Sequence, residues 1–175
     1  MPPKRLEIVE YPDPRLSDPS IPVAPEEIPE LQGFIRDMFY TMFAEQGVGL
    51  AAPQVGRNIR IFVVDQQPIN GDAEADPWVF INPVIEPLTE KTMVRREGCL
   101  SFPGMWVDVG RPEWVKITAL DINGEEFSID TTGSGLLSQA VQHEKDHLDG
   151  VIMSDKINKR GQRAFREWVK RRSGD

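Results

Sequence analysis

The sequence predicts an α+β fold in a single domain spanning residues 1–175, with antiparallel β-sheets packed around a central helix that bears His143, Glu144 and His147. An amphipathic helix precedes the sheets and another helix closes the chain. Three observations predict it. The 175 residues, 39% hydrophobic and 27% charged, have the size and composition of one globular core. The β-rich runs follow one another without helical patterns between them, which favours antiparallel pairing over βαβ units. Helix-period segments lie outside those runs, grouped near the start and at the end.

The elements can be taken in order. Pro12, Pro14, Pro19, Pro22, Pro25 and Pro29 crowd residues 12–29, which suits an extended arm lying over the body rather than a helix. Leu31, Phe34, Ile35, Met38, Phe39, Met42 and Phe43 then recur at the helical period and make one broad apolar face. Gly47 and Gly49 are expected to end that helix. The β-rich runs are IRIFVVD at 59–65, WVFINPVIEPL at 78–88, WVKITALDI at 114–122 and EEFSID at 125–130, the last two joined by the turn INGE. Between the first two runs, the acidic, apolar-poor segment 68–77 reads as a surface loop. Helices over about 134–148 and 158–171 complete the set.

Composition excludes several classes of function. A net charge of −8 and a pI near 4.9 disfavour nucleic acid or an anionic membrane as the main partner. No window approaches the ~18 consecutive apolar residues of a membrane span, and the N-terminus lacks the apolar core of a signal peptide, so an unexported, cytoplasmic protein is expected. A lone cysteine rules out an internal disulfide and leaves Cys99 as a buried thiol, a surface thiol or a ligand. Basic residues gather in NKRGQRAFREWVKRRSGD at the C-terminus, which reads as a solvated helix face or a local basic patch.

Chemistry concentrates in QAVQHEKDHLDG, residues 139–150, where both histidines of the chain stand four positions apart. On a helix, Leu136, Ala140, His143 and His147 share one stripe, so two imidazoles meet one point beside an apolar pocket. Glu144 holds the place a hydrolytic base would occupy. This H-E-x-x-H pattern implies a metal but does not fix the reaction, because several hydrolase families share it. Metzincin peptidases continue it to a third histidine; this chain follows as far as Gly150 and then places Met153 there. Glu167, 20 positions after His147, suits the third ligand of a thermolysin-like peptidase. Cys99, within RREGCLSFPG, sits among turn-forming residues, and thiolate is a strong ligand for a divalent ion. A Cys-His-His set would also leave a fourth position open for water. Chemistry favours Cys99, while spacing leaves Glu167 open.

Three motifs carry a family resemblance. GVGLAAPQ at 47–54, EGCLS at 97–101 and QHEKDH at 142–147 stand in order, and together they resemble the peptide deformylases of the bacterial and plastid-like class. The resemblance implies Cys99, His143 and His147 as ligands of Fe(II), with Zn(II), Ni(II) or Co(II) able to substitute, and Glu144 as general base. It implies that the Gln54 amide and the Leu100 backbone N–H stabilise the developing oxyanion. Val48, Leu136 and Ala140, with His143, would line the pocket for the first side chain, and Gly49 would pair with the substrate main chain. Glu97 would pair with Arg111. The substrate implied is the formylmethionyl end of a nascent chain, with formate as a product, and the basic C-terminal helix is then a candidate ribosome contact. Two positions depart from the family pattern: Gln139, where an apolar pocket residue is common, and Lys145, expected at the surface or the cleft rim.

Overall fold

A computed structural model describes residues 2–65 and 77–174, so the surface-loop expectation for 68–77 lies outside the described residues except at Pro77. Helix α1 spans Ile28–Ala44 and is followed by strands β1 (Gly49–Ala51), β2 (Ile61–Asp65) and β3 (Pro77–Pro87). Strands β4 (Thr92–Gly98), β5 (Trp106–Pro112), β6 (Val115–Leu120) and β7 (Glu126–Asp130) come next. Helices α2 (Gly135–Leu148) and α3 (Lys159–Ser173) complete the chain. Among the described residues these strands pair antiparallel, as expected, in a five-stranded sheet of order β1-β2-β3-β6-β7 and a separate two-stranded β4-β5 ribbon, while an isolated parallel bridge joins Ile21 to Ile59. Among the described residues no helix is long and apolar enough to cross a membrane.

Strand β2 explains the layering. Its five residues are all buried, Ile61 and Val63 against α1 and Phe62 and Val64 against α2. A strand covered on both faces has no reason to alternate, hence the unbroken apolar run Ile61, Phe62, Val63 and Val64 within IRIFVVD. Helix α1 presents Ile28, Leu31, Ile35, Met38 and Met42 to one side of the sheet, and α2 presents Leu137, Ala140, Val141 and Leu148 to the other. The site helix is therefore held by a sheet face rather than exposed. A third cluster joins Val9 and Leu16 of the arm, Phe102 and Val107 beside the ribbon, and Trp168 of α3.

Three expectations need correction. Helix α1 is not ended by glycine: Gln46 takes the left-handed conformation (φ 56°), and the Gly47 N–H donates to the Met42 carbonyl at 2.9 Å. Phe43, read as part of its apolar face, is 42% exposed. The β4-β5 ribbon was not foreseen, because its inward face carries Arg95, Glu97 and Arg111 among Val107 and Val109, so no apolar alternation marks it.

The arm reaches further back than its prolines at 12–29, to Val9, and is tied to the body at several points, although 3-10 turns at Pro14–Ser17 and Pro25–Glu27 interrupt it. Val9 N–H donates to the Gln54 carbonyl at 2.7 Å, Tyr11 N–H to that of Ser101 at 3.0 Å, and Ser20 N–H to that of Leu148 at 2.8 Å. The arm thus touches the first two motif segments, at Gln54 and Ser101, and Leu148, the residue just past the third. Further along, the Asn82 side chain bonds both the N–H and the carbonyl of Val23, at 2.9 and 2.8 Å, where the β3-β6 register shifts.

Candidate metal centre and active site

Three separate pieces of chain deliver the reactive side chains. The α2 stripe brings His143 and His147 to one point, and β4 ends at Gly98 so that Cys99 begins the turn beside them. Cys99 Sγ lies 3.2 Å from His147 Nε2, and one ligand atom from each of Cys99, His143 and His147 falls within 4.8 Å of the others. Among the described residues this is the group of side chains able to hold a metal. One thiol and two imidazoles form a donor set suited to a divalent transition ion and leave further positions open.

Beside that group, Glu144 is buried with its Oε2 lacking any hydrogen-bond partner among the described residues. An orphaned carboxylate oxygen at this position fits a site that receives an ion and a water. Burial pushes the Glu144 carboxyl up to about 7, so proton uptake and release both lie near neutrality. Its backbone opposite is Gly49: a Cβ there would stand 2.5 Å from Glu144 Oε1, so only glycine admits the carboxylate.

A relay of charges orients the first histidine. Glu97 Oε2 sits 2.9 Å from His143 Nδ1, and both Glu97 oxygens accept from Arg111, at 2.5 and 2.9 Å. Arg111 also donates to Asp146 at 2.8 Å, and Lys156 lies 3.3 Å from the other Asp146 oxygen. Burial alone would raise the Glu97 carboxyl, but the bonds from Arg111 and His143 outweigh it and hold it at about 2. Glu97 is thus an anion that accepts the Nδ1 proton, leaving His143 Nε2 free for a metal. Burial depresses His147 well below the usual histidine range, with the charges of His143 and Arg111 adding to it.

Gln54 is held from both ends. Its Oε1 accepts from the Ala51 N–H at 2.9 Å, while its Nε2 donates to Ser101 Oγ at 3.2 Å and to Cys99 Sγ at 3.5 Å. A cleft of about 1230 Å³ opens beside these groups and is lined in part by Val48, Gly49, Leu100, Leu136, Ala140 and Glu144. Gln139 also lines it and donates to the Arg96 carbonyl at 3.1 Å, bracing α2 against β4.

The chain matches a family model described as "Polypeptide deformylase" over residues 5–163. It belongs to that family. It is 42% identical to the peptide deformylase of Acinetobacter baumannii (strain SDF), over 95% of this chain and 90% of the relative. It is 44% identical to that of Pseudomonas aeruginosa, over 87% of each. The fold superposes on the Ehrlichia chaffeensis peptide deformylase crystallised in complex with actinonin with a TM-score of 0.84 at 37% identity, covering 97% of this chain and 98% of that one. The Synechococcus elongatus peptide deformylase, also in complex with actinonin, gives 0.84 at 38% identity, covering 94% and 90%.

Within this deformylase fold the remaining sequence candidates separate cleanly. Glu167 is not near the metal group: it is more than half exposed on α3, its carboxylate accepting from Arg163 at 3.1 Å, which removes the thermolysin-like alternative. Met153 is buried in the third apolar cluster. Gly150 ends α2 in the left-handed conformation (φ 69°), and a Cβ would stand 2.6 Å from the Ser17 carbonyl oxygen, so its match to the metzincin pattern has a structural cause. Lys145 pairs with Asp149 at 2.5 Å, away from the cleft lining. Sequence reasoning missed Ser101, Asp146 and Lys156. Asp146 and Ser101 lie inside quoted motifs, but a lone aspartate or serine carries no spacing that announces its partner.

Proposed function

We propose that Cys99, His143 and His147 hold the divalent ion with which this chain removes the N-formyl group from the formylmethionine of nascent polypeptides, releasing formate. The observation that carries the assignment is the 3.2 Å approach of Cys99 Sγ to His147 Nε2 beside the unpartnered Glu144 Oε2. When bound, a divalent ion supplies Lewis acidity that lowers the pKa of water and polarises a carbonyl. Glu144 takes the proton of the attacking water and returns it to the departing amine as the formyl C–N bond breaks. Gln54 Nε2–H and the Leu100 backbone N–H meet the negative charge that develops on the formyl oxygen. The products are formate and a free α-amine. Val48, Leu136 and Ala140 seat the first side chain, and Gly49 offers its backbone to the peptide.

The same reading assigns Fe(II) to the working enzyme, with Zn(II), Co(II) and Ni(II) able to occupy the same donors, since affinity order alone does not select among them. It also assigns the exposed basic face of α3 to a ribosome contact. Trp168 of α3 is buried and donates its indole N–H to the Pro103 carbonyl at 3.0 Å, so removing the helix would disturb the core. Charge reversal of Lys159, Arg160 and Arg166 is the cleaner test, and unchanged co-sedimentation with ribosomes would remove the contact.

The deciding experiment is formate release from a formyl-methionyl tripeptide by protein purified without oxygen, with a metal assay on wild type and Cys99→Ser. Release by wild type together with lost or altered metal in the variant supports the assignment. Full metal content and activity in Cys99→Ser would overturn the ligand set.

A further inference from the structure

We propose that Ser101 is a positioning residue that aims the Gln54 carboxamide at the formyl oxygen; the proposal rests on the deformylase reading above. Ser101 is completely buried, so substrate has no access to it, and any effect on the reaction must pass through a neighbour. That neighbour is Gln54. A primary amide has one acceptor oxygen and two N–H protons in a plane, and three contacts define that plane here. Ala51 N–H occupies Oε1, Ser101 Oγ takes one Nε2 proton at 3.2 Å, and the other proton is turned toward Cys99 Sγ at 3.5 Å.

The two firm contacts fix which end of the amide is nitrogen and leave only the remaining N–H free to redirect its hydrogen bond. Sulfur is a weak acceptor, so the hydrogen bond that this N–H gives Cys99 Sγ can be redirected to an oxyanion at little cost. Without the Ser101 hydroxyl, a buried N–H would lose its partner, and the carboxamide would turn to satisfy it on the Cys99 side. The backbone holds the pair in register as well. Val9 N–H binds the Gln54 carbonyl and Tyr11 N–H binds the Ser101 carbonyl, so one extended stretch of the arm sets the spacing between the two residues.

The test compares Ser101→Ala, Ser101→Thr, Gln54→Ala and the Ser101→Ala/Gln54→Ala double variant, each metal-loaded, by formate release, metal content and thermal midpoint. Ser101→Ala is expected to keep its metal and fold, to lower kcat roughly tenfold to hundredfold and to leave KM nearly unchanged, a loss somewhat below that of deleting an oxyanion donor. Ser101→Thr, which keeps the oxygen, should retain most of kcat. In the Gln54→Ala background, Ser101→Ala should cost nothing further, because its target is gone. A loss that multiplies in full in that background, or wild-type kcat in Ser101→Ala, overturns the proposal. If the alanine chain does not fold, a threonine chain with a large kcat loss overturns it equally. Absence of formate release from wild type would instead sink the deformylase reading itself.

Discussion

Glu97 Oε2 and His143 Nδ1 are 2.9 Å apart, and that one contact decides which nitrogen of the ring faces Cys99 and His147. The carboxylate is itself fixed by two bonds from Arg111, so the orientation of the histidine is inherited from the β4-β5 ribbon. Replacing Glu97 by Gln should weaken metal binding about 10- to 100-fold, measured by competition with a chelator of known affinity. Lys145→Ala, which removes a bond only to Asp149, should leave that affinity unchanged.

Gly49→Ala tests the fit between strand β1 and Glu144, the proposed base. The added methyl carbon would stand 2.5 Å from Glu144 Oε1, so the carboxylate must move. Formate release is expected to fall on the order of 100-fold, since displacements near 1 Å at a reacting group cost that much. Metal content should stay at the wild-type level; its loss would show that the methyl disrupts the α2 stripe rather than the base.

Glu144→Ala separates proton transfer from metal binding. The variant should hold the same amount of metal and lose roughly 10²- to 10⁴-fold in kcat. Turnover within a few-fold of wild type would exclude Glu144 as the base.

Trp168→Ala probes the junction of α3 with the turn after Cys99. The indole packs with Phe102 at a centroid distance of 5.6 Å and bonds the Pro103 carbonyl, so its removal should cost about 3–5 kcal/mol and lower the thermal midpoint. Arg163→Ala, which loses only an exposed pair with Glu167, should shift the midpoint by little.

Much of the architecture was legible in the sequence, and for identifiable reasons. The α1 period of Leu31, Ile35, Met38 and Met42 and the unbroken β2 run both record burial directly. The metal group was legible because His143 and His147 obey helical spacing, and because Cys99 lies in a complete motif. The β4-β5 ribbon was hidden by the feature that makes it useful: charged Glu97 and Arg111 point inward and erase the alternation. Strand β1 is three residues long, too short for any periodic signal. Asp146 was invisible because its partner Arg111 is remote in sequence and joined to it only through the fold, and Lys156 because it pairs only with Asp146.

The arm's bonds to Gln54, Ser101 and Leu148 set a timetable for the enzyme's own maturation. They join residues far apart in the chain: the Ser20 N–H donates to the Leu148 carbonyl, and Glu10 pairs with Arg172. Closures this distant in sequence form slowly relative to local contacts. Catalytic competence should therefore arrive as a late, nearly all-or-none event, once both closures have formed.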